Sequence, residues 1–170
     1  RCGEWFAIQK WDVTPDLITF AKGVTSGYVP LGGVIVSRKV CDVLESDPEF
    51  ILRHGYTYSG HPTSCAAGLA TLEVYEQEGL FERAAVIGKL LGDGLQSLVD
   101  DGLLVGTRGV AAVWAAETAP DVDVYAVRDH MLANGVIARP LTNAIAFCPP
   151  LVITDAEVGQ MVDSLAAALR

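Results

Sequence analysis

Nothing in this sequence gathers positive charge. Its 12 lysines and arginines are scattered among 21 aspartates and glutamates, for a net charge of −9. The absence of a basic stripe argues against nucleic acid and anionic membrane surfaces as partners. No apolar run approaches the length of a membrane span. Cysteine is sparse too: Cys2, Cys41, Cys65 and Cys148 lie far apart with no Cys-x-x-Cys spacing. That pattern argues against a disulfide framework or a structural zinc site, and for free thiols in a reducing cytoplasm. His54, His61 and His130 are too dispersed for a metal centre, and no carboxylate pair sits at ligand spacing. The Gly-x-Ser-x-Gly frame of a nucleophile elbow is missing around Ser59, and Gly32-Gly33 lacks the rest of a dinucleotide fingerprint.

What is present suits a folded globule. Hydrophobic residues make up 51% and charged residues 19% of 170 positions, enough for a core and unlike a disordered chain. The length is that of one domain or one and a half. Residues 1–16 read as a loop carrying Trp5, Phe6 and Trp11. Leu17–Ala21 and Gly33–Val36 read as strands, followed by a short helix from Lys39 to Leu44 capped by Ser37. Residues 50–62 form a loop rich in Gly, Tyr, Thr, Ser and His. After Pro62, the spacing of Cys65, Ala66, Leu69 and Leu72 predicts a helix that stops at Gly79, a candidate boundary between two domains.

A second helix follows on Leu80, Ala84, Ile87, Leu91, Leu95 and Leu98. Leu103–Thr107 and Val110–Ala116 are predicted strands with a turn at Gly109, and Asp123 is placed to cap a helix that packs Val124, Val127 and Met131. Val136–Arg139 and Ala144–Cys148 are two further strands. Thr154-Asp155-Ala156-Glu157 is a capping box for a last helix with Val158, Met161, Val162, Leu165 and Leu169 on its apolar face. The second half is thus an α/β unit with a small antiparallel sheet.

One lysine stands out. Lys22 ends the apolar run Leu17–Ala21 and is followed by Gly23, Gly27, Gly32 and Gly33. A strand without alternating polar positions is expected to be buried on both faces. A lysine at its end is then partly desolvated, which favours the neutral, nucleophilic amine that a Schiff base with an aldehyde requires. Taken by residue type alone, a lysine after a strand is more commonly a solvated loop residue.

The surrounding blocks add a resemblance. Lys22 with its glycines, Arg1-Cys2-Gly3-Glu4-Trp5-Phe6-Ala7, Val13-Thr14-Pro15-Asp16, His54-Gly55-Tyr56-Thr57-Tyr58-Ser59-Gly60-His61-Pro62, and Arg139-Pro140-Leu141 with Cys148-Pro149-Pro150-Leu151 resemble, in order, segments of the class III (omega-type) aminotransferases. Cys2 stands where that family has threonine. The His54–Pro62 block is closest to the amine–pyruvate branch. The resemblance implies a pyridoxal phosphate (PLP) enzyme of fold type I. Residues 1–79 would then be the end of the large cofactor-binding domain, and 80–170 the small C-terminal α/β domain.

It further implies that Lys22 holds the cofactor and moves the substrate proton. Thr57 would bind the cofactor phosphate of the other subunit in a homodimer, Tyr56 would line that interface, and Arg139 would pair with the substrate carboxylate. The reaction would carry an amino group from an amine or omega-amino acid to a keto acid such as pyruvate. The family's pyridine-nitrogen aspartate, Gly-Ser phosphate site and ring-stacking aromatic would all precede Arg1. The chain is therefore expected to be the C-terminal portion of a longer protein and inactive alone. An aminomutase on the same fold, or a non-catalytic split or truncated chain serving as a dimerisation or complementation module, remain alternatives.

Overall fold

The longest apolar stripe, Leu80 to Leu98, lies along one 21-residue helix in a computed structural model that describes all 170 residues. Leu80, Ala84, Ile87, Leu91, Leu95 and Leu98 are all buried. Each fully buried Leu or Ile contributes about 1.5–3 kcal/mol, so this face is the surface on which the neighbouring elements assemble.

In chain order the elements are β1 (Leu17–Ala21), β2 (Gly32–Val36), α1 (Arg38–Glu45), α2 (Pro62–Gln77), α3 (Leu80–Asp100), β3 (Gly106–Val110), β4 (Val113–Glu117), α4 (Val124–Ala133), β5 (Arg139–Pro140), β6 (Ala144–Phe147) and α5 (Asp155–Ala168). Short 3-10 turns occupy Ala7–Trp11 and Lys22–Thr25. The fold is mixed α/β. No helix is long and apolar enough to cross a membrane.

The chain forms two packed units, Trp11–Glu78 and Arg1–Lys10 with Gly79–Arg170. The first ten residues join the second unit through specific contacts, so the division is not a simple cut at residue 79. The Arg1 guanidinium donates to the carbonyls of Cys148, at 2.7 Å, and Pro149. The Ala112 N–H donates to the Arg1 carbonyl at 3.0 Å, and Trp5 meets Phe81 edge-on at 4.7 Å.

In the Gly79–Arg170 unit the sheet runs β3-β4-β6-β5, antiparallel throughout. Helix α3 packs on α5, β3 and β4, and α4 packs on α5, β5 and β6. Ile87, Leu91, Leu95, Met131, Phe147, Val158 and Leu165 share one core. The Asp123 carboxylate accepts from the N–H groups of Tyr125 and Ala126 at 2.9 and 3.3 Å, capping α4. The capping box of α5 is complete. The Glu157 carboxylate accepts from the Thr154 N–H at 2.8 Å, and Thr154 Oγ1 accepts from the Glu157 N–H at 3.2 Å. Hydrogen bonds from the Thr154 backbone and hydroxyl hold the Glu157 carboxyl below its ordinary range.

Three expectations for this unit are corrected. The β3–β4 turn lies at Ala111-Ala112, not Gly109, which stands inside β3 opposite Trp114. A Cβ on Gly109 would come within 2.2 Å of the Trp114 ring, so this glycine makes room for an indole rather than turning the chain. The first strand begins at Gly106 rather than Leu103, because the N–H groups of Leu103 and Leu104 both close the end of α3 on the Leu98 carbonyl. The strand expected at Val136–Arg139 is only Arg139–Pro140, and Pro140 has no N–H with which to extend the ladder.

In the Trp11–Glu78 unit β1 and β2 form an antiparallel ribbon from Leu17↔Val36 to Ala21↔Gly32. The expectation that β1 is buried on both faces does not hold. Ile18 and Phe20 are half-buried, while Leu17, Thr19 and Ala21 are exposed. The strand has β2 as its sole neighbour, and one face alone receives packing. Ser37 does stand at the start of α1, but its hydroxyl donates to the Asp16 carboxylate at 3.3 Å and not to the helix. The first turn closes on the Ser37 carbonyl, which accepts from Val40 and Cys41.

Candidate functional site

The β1–β2 ribbon opens after Ala21↔Gly32, and residues 22–31 bridge it. Lys22 leaves the strand in the left-handed region, at φ +55°. For a residue with a side chain this is a strained conformation that persists only where its surroundings impose it. Several bonds do so here. The Gly27 N–H donates to the Lys22 carbonyl and the Ser26 N–H to the Gly23 carbonyl, each at 3.1 Å. Thr25 is buried, and its hydroxyl donates to the Val29 carbonyl at 2.7 Å. The Tyr75 hydroxyl donates to the Gly23 carbonyl at 2.9 Å.

Helix α2 packs on this turn, but not through the face its apolar spacing predicts. Cys65, Ala66 and Leu69 are exposed, whereas Ser64 and Gly68 are buried and Thr71, Leu72 and Tyr75 are half-buried. The reason is close approach. A Cβ on Gly68 would stand 3.1 Å from Leu31 Cδ2 and 3.6 Å from the Val24 carbonyl, so small residues face the turn.

Residues 56–61 form a tight double turn ahead of α2. The Ser59 N–H donates to the Tyr56 carbonyl and Ser59 Oγ accepts from the Tyr56 N–H, both at 3.0 Å. The His61 N–H donates to the Tyr58 carbonyl at 3.2 Å, with Gly60 at φ +69°. Pro62 then opens α2, where a missing N–H costs nothing.

These pieces enclose an open cleft of about 650 Å³, lined among others by Lys22, Tyr56, Tyr58, Ser59, His61 and Ser64. That volume suits a small-molecule cofactor or substrate. The lining contains one lysine and several hydroxyls but no carboxylate. Ser64 lies in the first turn of α2, so the positive end of that helix adjoins the cleft. An amine, hydroxyl donors and a helix N-terminus without opposing negative charge fit a phosphorylated aldehyde.

Of the residues the sequence points to, Lys22 and Tyr56 share this cleft. Lys22 is exposed rather than partly desolvated, because the β1–β2 ribbon that carries it is open on one face. Thr57 is exposed and is not among the residues lining its own chain's cleft. Arg139 belongs to the other unit, on β5 in register with Ala146, exposed and outside every ion pair of the chain. Sequence reasoning gave Ser59 no role and passed over Ser64 and Tyr75. The signal for the last two was the small and polar stripe Ser64, Gly68, Thr71 and Tyr75, spaced at helical intervals. No three His, Cys, Asp or Glu side chains come together as metal ligands.

Comparison with known proteins identifies the family. The sequence pattern of the aminotransferase class-III family matches residues 1–169. An omega-aminotransferase of Caulobacter vibrioides is 38% identical over 99% of this chain and 40% of its own length. A putrescine–pyruvate aminotransferase of Pseudomonas aeruginosa is 35% identical over 95% of this chain and 38% of its own. Among solved structures, a PLP-bound amine transaminase from an uncultivated Pseudomonas species superposes with a TM-score of 0.92 at 37% identity, covering 99% of this chain and 41% of that one. The chain thus spans about 40% of the length of the relatives it matches.

Proposed function

This chain belongs to the aminotransferase class-III family, and on that premise we propose that it acts in PLP-dependent transamination. The amino group would pass from an amine or omega-amino acid to a keto acid such as pyruvate. The observation that carries this reading is Lys22, set in a left-handed turn at the mouth of the β1–β2 ribbon and lining a carboxylate-free cleft with hydroxyl donors. On this reading Trp11–Glu78 contributes the end of a cofactor-binding domain of fold type I, and Gly79–Arg170 the small C-terminal domain.

When bound, PLP supplies an aldehyde that exchanges amines and a ring that spreads the electron pair left by a departing proton. The protein's part is to hold, orient and move that proton. Lys22 Nζ would hold the cofactor covalently and, as a free amine, would take the proton from the substrate carbon that bears the nitrogen. The positive end of α2 and the hydroxyls of Ser59 and Ser64 favour the phosphate, and Tyr56 walls the cleft. The test uses the purified natural gene product with PLP, a primary amine and pyruvate. Alanine should appear together with the carbonyl compound matching the amine. An amino group that moves within one molecule without consuming pyruvate would replace this reading with an aminomutase.

Thr57 is exposed and does not itself line its own chain's cleft, which leaves its hydroxyl open to the cofactor phosphate of a second copy in a homodimer. A hydrogen bond to a charged group contributes about 1.5–3 kcal/mol. Thr57→Ala should therefore raise the dissociation constant for PLP at least about tenfold, read by equilibrium dialysis. An unchanged constant would remove Thr57 from the phosphate site.

Arg139 is free of partners within the chain and fits a carboxylate bidentately. Truncating one member of such a pair costs about 2–5 kcal/mol once the bound substrate and closed site shield it from water. Arg139→Ala should raise KM for keto acids by roughly 30-fold or more while leaving KM for simple amines within about twofold. Equal losses on both substrates would argue against this role.

A further inference from the structure

We propose that Tyr75 is a positioning residue for Lys22, and this rests on Lys22 being the cofactor anchor. The Tyr75 hydroxyl donates to the Gly23 carbonyl at 2.9 Å, across 52 residues of sequence. That carbonyl also accepts from the Ser26 N–H at 3.1 Å. Two donors of different origin therefore fix the Gly23–Val24 peptide plane, one residue beyond the left-handed Lys22 at φ +55°.

A left-handed lysine returns to the ordinary regions of backbone space unless its neighbours hold the turn. The Ser26 bond is local and moves with the turn. The Tyr75 bond ties the turn to α2, a 16-residue helix, and α2 packs directly on it. The closeness allowed by Gly68 brings the helix near enough for the phenol, about two helical turns further along, to reach the carbonyl. The same helix presents Ser64 to the cleft at its other end. Helix α2 thus supports the turn that carries the amine and also supplies the Ser64 hydroxyl to the cleft. Tyr75 sets the direction in which Lys22 leaves the backbone, and so where Nζ meets an aldehyde in the cleft.

The test compares the parent with Tyr75→Phe, which removes only the hydroxyl, and Thr71→Val. The Thr71 hydroxyl donates to the Ala67 carbonyl at 2.8 Å, within α2, and makes no bond to Gly23. In the PLP-loaded natural gene product, two quantities are read besides turnover. One is the rate at which Lys22 acquires a borohydride-trapped pyridoxyl label. The other is the pH midpoint of the visible absorbance of the bound cofactor. Loss of one such hydrogen bond is expected to slow labelling of Lys22 about fivefold and to displace the pH midpoint, while Thr71→Val behaves as the parent. Parent-like labelling and midpoint in Tyr75→Phe would overturn the proposal, as would equal slowing by Thr71→Val, which would mean general loosening of the helix. Label on Lys22 that is indifferent to Tyr75 removes this inference alone. Label on another lysine in the parent removes it together with the assignment of Lys22.

Discussion

Lys22→Ala is expected to abolish covalent retention of PLP and to slow amino transfer by about 100- to 10,000-fold, the usual contribution of a positioned general base. The fold should survive. Lys22 is exposed, so its removal leaves no cavity and no buried partner stranded. Alanine is no more strained than lysine at φ +55°, since both carry a Cβ. The loss is therefore chemical, and thermal unfolding of the variant should match the parent. Lys22→Arg should lose nearly as much, because a guanidinium keeps its charge and neither anchors the aldehyde nor accepts a proton. Added small primary amines should restore part of the proton transfer in Lys22→Ala and none of the covalent retention. A variant that keeps both cofactor and turnover would show that the chemistry resides elsewhere.

Phe147→Ala carries the largest expected loss of stability. Phe147 is 1% exposed, ends β6 and stands opposite Trp114 of β4. It shares its core with Ile87, Leu91, Leu95, Met131 and Leu165, drawn from three helices. Truncating a buried phenylalanine costs about 3–5 kcal/mol, through lost burial and the cavity left behind. That is a large fraction of the roughly 5–15 kcal/mol that holds a domain together. Urea unfolding followed through the Gly79–Arg170 unit should show the midpoint falling accordingly, with Phe147→Leu losing much less. A loss below about 1 kcal/mol would mean that the sheet and helices are not joined through this residue. Keto-acid turnover should suffer as well, because β5 pairs only with β6, through Arg139↔Ala146 and Pro140↔Ile145.

How far the sequence could be read follows from what each residue does. Helix α3 was legible because its apolar stripe became its buried face, residue by residue. The caps at Asp123 and Thr154 were legible because a cap is a local bond between side chain and backbone a few residues apart. Gly109 was misread as a turn because sequence does not separate a glycine that bends the chain from one that makes room for an indole. Helix α2 was misread for a related reason. Hydrophobicity points to Leu69, yet close approach selects Ser64 and Gly68. Within the site, Lys22 and the 54–62 block were visible as motifs. The bond from Tyr75 to Gly23 was not, since only the packing of α2 on the turn brings these two residues together.

The central assignment is that one lysine anchors the cofactor, and the chain offers only Lys10, Lys22, Lys39 and Lys89 as candidates. Lys10, Lys39 and Lys89 each face a carboxylate, from Glu4, Asp16 and Asp93, while Lys22 lines the cleft without one. The most direct measurement is borohydride reduction of the PLP-loaded natural gene product, followed by peptide mapping. A pyridoxyl group on Lys22, with the other three lysines unmodified, is the predicted result. A pyridoxyl group elsewhere with Lys22 unmodified would contradict it.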